Sequence, residues 1–118
     1  MNIENFTEYC LNKKGVTESF PFGGDTLVFK VSGKIFALCA IDNIPCKINL
    51  KCDPEWAIEL RDEHEDIRPG FHMNKLHWNT VNLEGSLELS LVNKMIDHSY
   101  NLVVKSLPGL DRHNLLEL

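Results

Sequence analysis

Lys47, Asn49 and Lys51 occupy alternate positions of Cys46-Lys47-Ile48-Asn49-Leu50-Lys51-Cys52, and apolar or thiol residues fill the positions between them. In an extended strand successive side chains point to opposite faces, so these polar groups share one face at intervals of about 6.6 Å. Two ammonium groups and an amide so spaced suit phosphate or carboxylate oxygens. A solvated face, or an edge strand kept soluble by its lysines, uses the same pattern. A second concentration lies in Arg68-Pro69-Gly70-Phe71-His72-Met73-Asn74-Lys75-Leu76-His77-Trp78-Asn79-Thr80-Val81. Arg68 and Lys75 are cations. His72 and His77 add imidazole nitrogens that can donate or accept. Asn74 and Asn79 can both donate and accept, and Phe71 and Trp78 offer flat faces that stack on bases or cover apolar ligands. The same residues also have structural uses: Pro69-Gly70 as a turn, Asn74 as a cap, and Trp78 as a core anchor, the preferred role for a Trp in a small domain.

Other chemistries find less support. His72 and His77 are five residues apart, which is not the i, i+4 helical pair of a metal site and would place them on opposite sides of a strand. Gly23-Gly24-Asp25-Thr26 lacks the lysine and glycine spacing of a phosphate loop and precedes a strand. No serine sits in a nucleophile-elbow context, and the carboxylates cluster as a solvating face, so no catalytic constellation, enzyme activity or cofactor is expected.

The net charge of −5 opposes strong non-specific attraction to polyanions. Residues 53–66, however, hold seven acids against Arg61 alone; that segment carries −6 and leaves the remaining residues at +1. A neutral-to-basic face can therefore exist away from one acidic helix, and the acidic ridge itself could attract a cation. The four cysteines form no C-x-x-C pair, and Cys10 and Cys39 read as small core hydrophobes. With no basic and apolar leader and no run of about 20 apolar residues, a cytoplasmic, monomeric protein is expected.

Length and patterning predict one α+β domain over residues 1–108, followed by a C-terminal tail over 109–118 with no assigned element. Asn2 caps a first helix with an Ile3, Phe6, Cys10 stripe. Strands follow at 27–31 and 35–41 around a Ser32-Gly33-Lys34 turn, then at 46–52. Asp53-Pro54-Glu55 starts the acidic helix, which breaks at 67–70. A turn or short strand at 71–74, a strand at 77–83 and a long helix at 87–107 complete the order α-β-β-β-α-β-β-α, an antiparallel sheet with helices packed on one face.

The motifs together resemble the MmcQ/YjbR family of small bacterial proteins. The resemblance rests on Phe20-Pro21-Phe22-Gly23, Asp25-Thr26-Leu27-Val28-Phe29-Lys30-Val31, Ile48-Asn49-Leu50-Lys51-Cys52-Asp53-Pro54, Arg68 through Lys75, His77-Trp78-Asn79-Thr80-Val81 and His98-Ser99-Tyr100-Asn101-Leu102-Val103. It implies a fold like bacterial frataxin and binding to DNA, with hairpins acting as wings. The residues it puts at stake are Lys47, Asn49, Lys51, Arg68, His72, Asn74, Lys75, His77 and Asn79, with Lys34 at a wing tip. The alternatives are an interaction module for a protein or small anionic ligand, and cation binding on the acidic helix.

Overall fold

The computed structural model describes residues 1–71 and 73–118. Its elements are α1 (Ile3–Leu11), β1 (Val16–Ser19), β2 (Thr26–Val31), β3 (Lys34–Ala40), β4 (Lys47–Lys51), α2 (Pro54–Glu63), β5 (Ile67–Pro69), β6 (Trp78–Asn82), α3 (Leu89–Ser106) and α4 (Gly109–Leu116). The strands form one sheet in the order β1-β2-β3-β4-β6-β5, antiparallel at every pairing.

Local chemistry sets the helix starts. Asn2 accepts the Asn5 N–H at 2.8 Å, and the Asn5 side chain reaches back to the Asn2 N–H, a reciprocal capping box. Asp53 caps α2, with Pro54 at its first position, where a missing N–H costs nothing. The β2–β3 hairpin turns on Ser32 (φ 47°) and Gly33 (φ 79°), the doubly left-handed pair whose twist matches the strands it joins.

The helices cover one face. Leu27, Phe29, Val31, Ala37, Cys39, Ile48, Leu50, Ile67 and Val81 point into that core and meet Phe6, Cys10, Ala57, Leu60, Val92, Met95, Ile96 and Val103 from the helices. Phe6 meets Phe29 edge-to-face at 5.4 Å between ring centres. Ser99 is a polar member of this layer. It is fully buried, donates to the Phe36 carbonyl and accepts the Lys51 N–H at 2.9 Å. Its hydroxyl thus satisfies two backbone groups just beyond the β3–β4 ladder, which ends at Ala37 and Leu50.

Three differences from the sequence-based expectation have identifiable causes. β1 pairs with β2 at the sheet's edge with mostly exposed residues, so it shows no apolar alternation. A short strand lies at Ile67–Pro69, where the sequence reading placed only a helix break; as the outermost strand it tolerates a proline without an N–H. The C-terminal residues form α4, which seats Leu115, 6% exposed, in the core cluster.

Candidate functional site

Among the described residues, no helix covers the other face of the sheet. Register places Thr26, Val28 and Lys30 of β2, Leu38 and Ala40 of β3, Lys47, Asn49 and Lys51 of β4, Trp78, Thr80 and Asn82 of β6 and Arg68 of β5 on that side. Two loops rise from its ends. One carries Phe22; the other, after β5, carries Phe71 and Met73. Between them lies a cleft of about 820 Å³. Lys47, Asn49, Thr80 and Asn82 contribute to its floor beside Leu38, and Phe22, Phe71 and Met73 make its sides apolar.

The floor is fixed by hydrogen bonds. The Phe71 N–H donates to Thr80 Oγ1 at 2.9 Å, and that hydroxyl donates to Asn49 Oδ1 at 2.6 Å. With Oδ1 so engaged, the donor end of the Asn49 amide is Nδ2. Asn82 is held alike, its Oδ1 accepting the Glu84 N–H at 2.9 Å. The loop after β5 is pinned where Gly70 donates to the Trp78 carbonyl at 2.8 Å. A Cβ on Gly70 would stand 2.8 Å from Trp78 Cβ and 3.0 Å from its carbonyl oxygen, so only glycine allows this approach.

The charge on this face has a clear pattern. Every charged residue at its strand positions is a cation: Lys30, Lys47, Lys51 and Arg68. Glu65 and Asp66 enter the cleft from the turn before β5. Asp66 is held there, accepting the Ser86 N–H at 3.0 Å and lying against Gly85. The acids of α2 belong to the helix layer, because Ala57 and Leu60 turn its inner side into the core.

The sequence-predicted residues divide. Lys47, Asn49 and Arg68 meet in the cleft. Lys51 shares their face but lies at the far end of β4, opposite half-buried Trp78. Lys34 follows the hairpin turn, paired with core-facing Val31, away from the cleft. Lys75 is exposed, with its ammonium on the Gly70 carbonyl at 3.0 Å, and Asn74 shapes the loop by accepting the Leu76 N–H at 2.9 Å. His77 is half-buried, its carbonyl accepting the Cys52 N–H at 2.8 Å. His72 lies outside the described residues. Asn79 stands apart from the rest: it is 2% exposed on the helix side, where Arg61 Nε donates to its Oδ1 at 2.7 Å. Among the described residues, no group of three or more His, Cys, Asp or Glu gathers as a metal centre would require.

Sequence reasoning missed Phe22, Thr80, Asn82 and Arg61. The first belongs to an apolar run inside a turn, Phe20-Pro21-Phe22, and an exposed aromatic there is a signal for binding. Thr80 and Asn82 could have been found by carrying the two-residue period through β6 once its pairing with β4 was known.

The chain belongs to the YjbR family, whose model matches residues 11–102. It is 38% identical over the full length of both chains to the uncharacterised protein YjbR of Escherichia coli K12. It is 39% identical to the uncharacterised protein YbdF of Escherichia coli O157:H7 over 94 residues, 79% of this chain and 76% of that one. Among solved structures it resembles protein DR2400 of Deinococcus radiodurans, a DUF419 domain, with a TM-score of 0.92 and 37% identity over 97% of this chain and 87% of that one. A protein from Pseudomonas syringae superposes with a TM-score of 0.76 and 32% identity, over 86% of this chain and 98% of that one.

Proposed function

We propose that the protein binds nucleic acid through the open face of its sheet. The charge distribution supports this most directly. In a chain of net charge −5, the charged residues on the strands of this face are cations, whereas the acids of α2 lie on the helix layer. Phosphates approaching the sheet meet Lys47 and Arg68 beside the cleft and Lys30 and Lys51 farther along the same face. Few cations and no dense arginine cluster make the interaction modest and strongly salt-dependent.

Fluorescence anisotropy of labelled random-sequence oligonucleotides at low and physiological salt tests it. Binding should weaken with salt, and Lys47→Glu/Arg68→Glu should flatten the log–log salt slope by about 1.4 to 1.8, two phosphate contacts' worth. No binding at low salt and micromolar protein, or an unchanged slope in the variant, rejects the proposal. A small anionic ligand is the second reading, favoured by a cleft volume of about 820 Å³. It predicts thermal stabilisation by small anions without oligonucleotide binding.

A further inference from the structure

We propose that the cleft accommodates an unpaired, carbonyl-bearing base, so that the protein prefers single-stranded nucleic acid to duplex. The inference rests on the nucleic-acid reading and specifies the form of its ligand. Phosphate contacts alone give no use to the cleft's walls. Phe22 and Phe71 are 68% and 67% exposed, and with Met73 they flank the floor that holds Asn49 and Asn82. Phosphates gain nothing from such surfaces, whereas the face of a base gains by stacking on an aromatic ring, whatever its sequence. A duplex keeps those faces inside its own stack and presents a convex wall of phosphates. A cleft of about 820 Å³ is of the size that encloses a small planar group, within the range of about 300–1,000 Å³ usual for such sites.

The floor narrows the choice of base. Asn49 and Asn82 both line the cleft, and both have their carbonyl oxygens occupied, by the Thr80 hydroxyl and the Glu84 N–H respectively. Their donor ends are therefore the amide Nδ2 groups. Lys47 and Arg68, also on the lining, are donors without acceptor capacity. These four donors stand beside the carboxylates of Glu65 and Asp66 on the same lining, and they complement carbonyl oxygens, which thymine and uracil carry on both sides of their single ring N–H. The carboxylate of Glu65, on the same lining, can accept that N–H. The backbone of the strand, leaving the cleft, runs onto the face that carries Lys30 and Lys51.

The test compares three labelled probes with the intact chain at one low salt concentration. They are an oligothymidylate of about a dozen nucleotides, within the known span of single-strand sites; an abasic strand with the same number of phosphates; and the oligothymidylate annealed to its complement. The oligothymidylate should bind at least tenfold tighter than either other probe. Phe22→Ala, at an exposed position, should weaken it roughly fivefold or more, as the loss of one stacked base does, and leave the abasic strand unaffected. Equal affinity for the abasic strand, tightest binding to the duplex, or indifference to Phe22→Ala overturns the base inference while leaving nucleic-acid binding intact. Failure of all three probes to bind overturns both.

Discussion

Replacing Arg61 with leucine should loosen the join between α2 and β6 on the helix side of the sheet. Arg61 Nε donates to Asn79 Oδ1 at 2.7 Å, and Nη2 reaches the Lys75 carbonyl and, at 3.3 Å, the Trp78 carbonyl. One guanidinium thus ties α2 to the start of β6 and to the loop that carries Lys75. Asn79 is 2% exposed, and its Nδ2 has no hydrogen-bond partner among the described residues. Removing Arg61 therefore leaves the whole buried amide unsatisfied. A hydrogen bond from a charged donor contributes about 1.5–3 kcal/mol, and an orphaned buried acceptor costs about 1–3 kcal/mol. The two overlap, and the Lys75 carbonyl can take water instead, so the expected loss is about 2–4 kcal/mol. Urea unfolding followed by tryptophan fluorescence measures it from the midpoint shift at constant slope. The double variant Arg61→Leu/Asn79→Leu supplies the control. With both polar partners gone, it should be more stable than the sum of the single losses by about 1 kcal/mol or more. A single loss below about 0.5 kcal/mol, or strict additivity in the cycle, would show that the guanidinium holds nothing together.

Three further outcomes are expected. Burial against Trp56, 4.6 Å away between ring centres, lowers the pKa of His98 despite the nearby Asp53 carboxylate, and His98 Nε2 accepts the Asp53 N–H at 3.0 Å. The unfolded chain then takes up this proton near pH 6.5 and the folded chain only at lower pH, so the contribution is intact above that value and fades as pH falls below it; the stability difference between pH 7.5 and 5 should shrink in His98→Gln, and an unchanged difference refutes the linkage. Burial pushes the thiols of Cys10, Cys39 and Cys52 up to about 12, and that of half-buried Cys46 is also raised; a chromogenic disulfide should label native protein slowly and at Cys46 first, and rapid labelling of Cys46→Ser would contradict that order. Ser99→Ala should cost about 1–3 kcal/mol and accelerate amide exchange at Lys51, whose N–H bonds to Ser99 Oγ; unchanged exchange would mean that the hydroxyl does not hold that junction.

The elements with strong periodicity were legible in the sequence. The alternation of β4 set Ile48 and Leu50 on one face and Lys47 and Asn49 on the other, and of the helically spaced Val92, Met95, Ile96, Ser99, Val103 and Ser106 in α3 all but Ser106 are buried. Pairing between distant strands was not legible, and it makes the site: Asn49 meets Thr80 only because β4 lies beside β6. Asn79 illustrates the same gap. It adjoins Thr80 in sequence, but strand parity sends it to the helix side, and a stretch of mixed polarity gives no internal sign of that parity. The helix at the C-terminus escaped because Pro108 offers no side-chain cap and Leu115 is its one buried residue.

The placement of the acidic helix α2 on the side opposite the strand cations Lys30, Lys47, Lys51 and Arg68 has a consequence for how the molecule travels. A body with carboxylates on one side and ammonium groups on the other carries a dipole moment across its thickness. Near a polyanion its net charge slows the approach, while the field exerts a torque that turns the open face forward before contact. Both effects fade beyond a screening length of about 8 Å at physiological ionic strength. Acidic residues on α2, such as Glu59 and Asp62, would thereby influence how fast a ligand is captured at a surface they never touch.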